Sequence, residues 1–103
     1  MSFVLIDILP LKDGASFEQA VGYFETLKPV FERHGLRRVD QPLQPVKVLR
    51  GEVQADLVNL FETENPEVSL AGMRDDPDYQ AQIELRDTVF DLDRASIVLT
   101  RRA

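Results

Sequence analysis

Phe3-Val4-Leu5-Ile6-Asp7-Ile8-Leu9, halted by Pro10, is the stretch on which the fold turns. An unbroken apolar run of this length, rich in β-branched side chains, predicts a strand. Side chains alternate across a strand, so Val4, Ile6 and Ile8 share one wholly apolar face. Phe3, Leu5, Asp7 and Leu9 share the other, where a lone carboxylate interrupts the hydrocarbon. Both faces are greasy enough to be buried. That makes the run a central strand.

Working outward, Lys12-Asp13-Gly14 carries turn chemistry. Ser16 then stands as a helix N-cap, with Gln19 completing a capping box. From Phe17 the apolar residues recur at helical spacing: Ala20, Val21, Tyr23, Phe24, Leu27, Val30, Phe31 and His34 fall on one side. Pro29 lies on the polar side, where water can satisfy the carbonyl it frees, and Gly35 ends the helix. Leu36 to Asp40 and Val46 to Leu49 read as strand-like pieces of an edge strand. Pro42 and Pro45 force an irregular excursion between them. Ala55 to Glu62 is another strand. Asn65-Pro66 opens a short helix to about Met73, Asp76-Pro77 opens a second, and Ala95 to Thr100 forms the last strand.

The order β-α-β-β-α-β, with right-handed crossovers, predicts a ferredoxin-like split βαβ within the α+β class. Its four-stranded antiparallel sheet has order 4-1-3-2 and carries its helices on one face. Residues 1–103 form a single domain, a usual size for one core. Two helices cover only one face, so the other must be solvated or covered by another chain. The first strand has two apolar faces. A homodimer formed through the open sheet face is therefore expected.

Composition narrows the partners. The chain is 44% hydrophobic and 29% charged, an ordinary globular balance, with net charge −6. An acidic chain whose basic residues come in short pairs, Arg37–Arg38 and Arg101–Arg102, is poorly suited to nucleic acid. The absence of cysteine fits a reducing, cytoplasmic setting. No apolar stretch approaches the roughly 20 residues that span a bilayer, and Phe3 to Leu9 is too short for a signal peptide.

Asp76-Pro77-Asp78-Tyr79-Gln80, followed by Ile83 and Leu85-Arg86, resembles the Ser-Pro-Glu-Tyr-Gln…Leu-Arg signature of a small bacterial family of unknown function. Pro29…His34-Gly35 looks like that family's Pro…Tyr-Gly-Gly segment, and the strand ending at Phe61 like its Glu-Phe-Pro-Ser segment. There are departures. Met73-Arg74 stand where the family has an aromatic pair, and Leu36 replaces the second glycine of its Gly-Gly. The family belongs to the dimeric α+β-barrel superfamily, so the resemblance implies that fold and a homodimer. The wider superfamily includes cofactor-free monooxygenases, heme-degrading enzymes, lyases and isomerases. Fold analogy alone does not transfer a function.

Five polar residues are candidates for a site. On a helix running from Pro77, Tyr79, Ala81, Ile83, Leu85, Val89 and Phe90 make an apolar arc that includes Arg86. A guanidinium there is either half of a structural ion pair or an anchor for a substrate carboxylate or enolate. Tyr79 is either core or a hydroxyl donor to substrate. His34, the sole histidine, either caps the first helix or acts as a general acid or base. Asp7 and Asn59 lie on neighbouring strands and can share a cavity. They are read on the face less covered by helices, in a cleft closed by the dimer mate. Burial among Phe3, Leu5 and Leu9 would favour the neutral form of Asp7 and suit it to proton transfer, whereas a salt bridge would do the opposite. One histidine without cysteine makes a transition-metal site unexpected, Asp75-Asp76-Pro77-Asp78 reads as helix capping rather than calcium binding, and no cofactor is implied. The leading reading is a small-molecule-binding protein, with cofactor-independent monooxygenase-, lyase- or isomerase-like chemistry catalysed by His34 and Asp7 and substrate held by Arg86, Asn59 and Tyr79. The alternative is a non-catalytic protein whose sheet face serves only assembly or partner binding.

Overall fold

The computed structural model describes residues 2–103. Strand β1 spans Phe3–Leu9, helix α1 Phe17–Arg33, strand β2 Arg37–Arg38 and strand β3 Leu57–Thr63. They are followed by helices α2 (Pro66–Asp75), α3 (Pro77–Gln80) and α4 (Ile83–Val89), a 3-10 turn at Leu92–Arg94, and strand β4 (Ser96–Arg101). The antiparallel sheet runs β2-β3-β1-β4, the predicted order, with β1 central. No helix among the described residues is long and apolar enough to cross a membrane.

Local chemistry sets the helix ends. Ser16 accepts a hydrogen bond from the Gln19 backbone N–H, and the Gln19 side chain accepts one from the Ser16 N–H. Gly35 follows α1 with φ at +76°, a left-handed conformation that any side chain would strain. Pro29 sits inside α1 on its exposed side. Asp76, held extended ahead of Pro77, separates α2 from α3.

Ala20, Tyr23, Phe24, Leu27 and Val30 of α1 pack onto Leu5, Leu9, Leu57 and Phe61 of the sheet, with Met73, Val89 and Phe90 closing the core. Phe31 stacks on Phe61 with ring centroids 4.6 Å apart, and Phe24 meets Phe90 at 5.5 Å. All helices lie on the face that carries Leu5, Asp7 and Leu9. Val4, Ile6, Ile8, Val58, Leu60 and Val98 line the other face and are only partly covered.

Three expectations need correction. Val46 to Leu49 form no strand: β2 is two residues long, and beyond it the Val39 N–H donates to Leu60 O and Leu43 bridges Val58. Pro42 and Pro45 lack the N–H groups a continuous ladder requires, so the chain leaves the sheet. The helix expected to run from Pro77 is interrupted at Ala81–Gln82. There the Gln82 N–H reaches Tyr79 O in a tightened turn, and the altered phase leaves Leu85 half exposed. Finally, Asp7 faces the helices rather than the open side. The wholly apolar face of β1, not the one bearing the carboxylate, is left uncovered.

Phe61 is the hinge of the aromatic packing, at 1% exposure. Phe61→Ala should cost about 3–5 kcal/mol in urea unfolding, the range for an emptied aromatic site. A loss below 1 kcal/mol would show that α1 does not pack there as described.

Candidate functional site

A cavity of about 350 Å³ lies between the helical face of the sheet and the helices. β1 supplies Leu5, Asp7 and Leu9 to its floor, and α1 supplies Tyr23, Phe24 and Phe31. Tyr79, Ile83, Arg86 and Phe90 form the far wall, with Leu92 and Ile97 at the β4 side. Its lining is mainly hydrocarbon and aromatic, with a few polar groups, the usual make-up of a small-molecule pocket.

Asp7 is the anomaly in that lining. Its residue is buried, and no hydrogen bond or ion pair reaches its carboxylate among the described residues. Desolvation alone pushes its pKa from 3.8 up to about 7. The guanidiniums that could have neutralised it are engaged elsewhere: Arg38 pairs with Glu25 at 2.9 Å, and Arg86 with Asp87 at 3.0 Å. Directly across the ladder stands Asn59, 1% exposed, and neither its Oδ1 nor its Nδ2 has a partner among the described residues. Buried polar atoms without partners cost stability. Asp7 reaches the cavity floor, whereas Asn59 lies beside it with its amide sealed away from the cavity.

On the far wall, Arg86 Nη1 donates to the Tyr79 hydroxyl at 2.8 Å, and the guanidinium carbon lies 5.9 Å from the Tyr79 ring centre. Since Arg86 occupies the phenol oxygen as a donor, the phenol proton is free to be donated in turn. Burial, then the neighbouring Tyr79 phenol, raises the pKa of Tyr23 beside it, so this second hydroxyl stays neutral. Arg86 is therefore held by a phenol and an adjacent carboxylate. The ion pair that Arg86 makes is the local one to Asp87, at 3.0 Å.

His34 lies outside this cavity. Its Nε2 sits 2.7 Å from Asp76 Oδ2, which also accepts from Arg33 Nη1 at 2.9 Å. Asp76 Oδ1 accepts the Asp78 N–H at 2.8 Å, capping α3. The His34 hydrogen bond, then the Asp78 N–H and Arg33, hold Asp76 down at about 2 despite its burial. The ring fits because Gly72 packs flat against it: a Cβ there would come within 2.4 Å of His34 Nδ1. This cluster ties the end of α1 to the start of α3.

The structure thus brings Asp7, Tyr79 and Arg86 to one cavity, sets Asn59 beside Asp7, and puts His34 in a separate capping cluster. Sequence reasoning missed Tyr23. Its place among the apolar positions of α1 was visible, but nothing in the spacing marks a phenol that meets Tyr79.

No protein-family model matches the chain, and no curated protein matches it. Solved structures do match. A protein of unknown function from Rhodopseudomonas palustris superposes with a TM-score of 0.77 at 20% identity, covering 99% of this chain and 82% of that one. A DABB-family protein with a ferredoxin-like fold from Mesorhizobium loti gives 0.67 at 10% identity, covering 99% and 97%. A dimeric protein of unknown function with a ferredoxin-like fold from Bacteroides fragilis gives 0.60 at 11% identity, covering 98% and 96%. At such identities the likeness establishes the fold, ferredoxin-like α+β.

The two carboxylates predict opposite pH dependences. Asp7 binds its proton more tightly folded than unfolded, so stability falls as pH rises from about 4 to about 7 and then levels. The roughly thousandfold preference corresponds to about 4 kcal/mol above pH 7. Asp7→Asn should raise the melting temperature at pH 8 and leave it nearly unchanged at pH 4. An unchanged profile would mean Asp7 is solvated. Asp76 is depressed, so its contribution is present above about pH 4 and lost as pH falls toward 2. His34→Ala should move the acid-unfolding midpoint, followed by circular dichroism, to higher pH.

Proposed function

We propose that the chain is a small-molecule-binding protein that takes a compact, largely apolar organic acid or carbon acid into the cavity between sheet and helices. One observation carries this reading: a carboxyl without a partner among the described residues, at the floor of an apolar cavity. A group that destabilises the fold and satisfies no neighbour is more readily explained by what it does to a ligand than by structure.

The chemistry follows from the parts. A carboxyl titrating near 7 is as ready to take a proton as to give one at neutral pH, the optimum for a general acid–base. Asn59, across the ladder from Asp7 but outside the cavity lining, acts in this reading only through its neighbour Asp7. The Arg86 guanidinium and the Tyr79 hydroxyl form a donor pair suited to a carboxylate or to the oxyanion of an enolate. Together they suit cofactor-independent proton transfer at a carbon or oxygen acid, the step shared by isomerase-, lyase- and monooxygenase-like reactions on small substrates. In this reading His34 positions α3, and through it Tyr79, rather than touching substrate.

The assembly we propose is a homodimer through the open sheet face, in a reducing compartment such as the cytoplasm. Val4, Ile6, Ile8, Val58, Leu60 and Val98 make a contiguous apolar surface that a single chain leaves to water. The dimeric Bacteroides fragilis neighbour is consistent with this choice.

The binding test is a thermal-shift screen with aromatic carboxylates, phenols and β-dicarbonyls. A true ligand at a hundredfold its Kd stabilises by about 2.7 kcal/mol. Its shift should vanish in Arg86→Ala and in Asp7→Leu, each read against its own ligand-free melting curve once circular dichroism shows it folded. Flat melting curves across the panel would remove the proposal. Sedimentation equilibrium should return a dimer for the unaltered chain and a monomer for Ile6→Asp. A monomeric unaltered chain would end the assembly reading.

A further inference from the structure

Residues 44–55 leave the sheet after the Leu43–Val58 bridge and return at β3. This excursion exposes apolar side chains to a degree nothing else among the described residues approaches: Val46 is 98% and Leu49 87% exposed. It also carries two cations, Lys47 and Arg50, against one acid, Glu52. A solvent loop has no use for a Val-Lys-Val-Leu core, and the excursion springs from the open face: Leu43 and Val58, paired in register, point to the same side of the sheet as Leu60 and Ile8.

At the opposite edge the cavity has a matching deficiency. Ile97 of β4 lines it yet remains 59% exposed, and Leu92 and Leu70 beside it are also open to water. The segment that borders this mouth beside β4, residues 83–94, is net acidic: Glu84, Asp87, Asp91 and Asp93 stand against Arg86 and Arg94. A basic, apolar-tipped arm and an acidic, apolar-lipped mouth complement each other.

Within one chain the two features sit at opposite sheet edges, about 14 Å apart across three strand spacings. Back-to-back stacking about a two-fold axis parallel to the strands brings them together, because it lays the β2 edge of one copy over the β4 edge of the other. Stacked sheets lie about 10 Å apart. An arm that goes out and back over residues 44–55 reaches roughly 20 Å, enough to pass the edge. We propose that the 44–55 arm of each copy wraps the β4 edge of its mate and closes the mate's cavity at Ile97, so that the site is lined in trans by Val46 and Leu49. This rests on the homodimer reading and adds to it a shared site.

The absence of cysteine makes the test clean. Leu49→Cys and Ile97→Cys chains, both altered at exposed positions, are prepared separately, mixed, oxidised with diamide and resolved on non-reducing gels. The expected result is a Leu49→Cys/Ile97→Cys cross-linked dimer formed at least tenfold faster than when Leu49→Cys is mixed with a control Glu18→Cys chain, which places the thiol on the solvent face of α1. If the unaltered chain sediments as a dimer but the mixture cross-links no faster than the control, the trans-closing arm is refuted while the dimer stands. If the unaltered chain is a monomer, both fall. A Leu49→Cys/Ile97→Cys double variant that closes chiefly within one chain would show the arm folding over its own cavity, and would also refute the inference.

Discussion

A four-stranded sheet built around β1 has two apolar faces and only one layer of helices to cover them. Each buried Å² of apolar surface is worth about 25 cal/mol, so a face bearing Val4, Ile6, Ile8, Val58, Leu60 and Val98 is a standing demand for a second surface. The aromatic-rich α1 answers that demand on one side. Phe24, Phe31, Phe61 and Phe90 knit it to the sheet, and the shorter helices close the layer around Met73 and Val89. What the helices do not fill becomes the cavity.

Within that layer two aspartates show how environment divides identical side chains. Asp76 is given three hydrogen-bond donors and becomes a structural clamp, its charge fully used to join α1 to α3. Asp7 is given none and keeps its proton to neutrality. The first is the common fate of a buried carboxylate. The second is tolerated only where a fold can spare the stability, which ties the chemistry of the cavity to the strength of the core beneath it.

Much of this was legible in the residues. The unbroken run Phe3–Leu9, the Ser16–Gln19 capping box, Gly35 after α1 and the proline pair at Pro42 and Pro45 each dictate a local conformation through sterics or hydrogen bonding. They sufficed for the element order and, with crossover handedness, for the strand order. The strand assigned to Val46–Leu49 failed because a β-prone run forms a strand only where an edge with free partners receives it. The long helix from Pro77 failed because its apolar spacing spans a break at Ala81–Gln82 that periodicity does not register. Asp7 and Asn59 could be paired as neighbours from topology, and Arg86 singled out from its place on an apolar arc. Their shared face could not, since either side of β1 would have accepted the helices.

By itself, then, the sequence determined alternation, capping and chain reversal, because these depend on groups a few residues apart: two dissimilar faces on β1, one long amphipathic helix, a split βαβ path. Only the tertiary structure decided which face of β1 meets α1, and with it that Asp7 is sealed in the cavity while Val4, Ile6 and Ile8 are left outside. It likewise decided that His34 meets Asp76 and that Tyr79 meets Arg86. These outcomes rest on contacts between residues far apart in the chain or on the packing of whole layers, where burial and desolvation act on the assembled side chains and no local pattern carries the information.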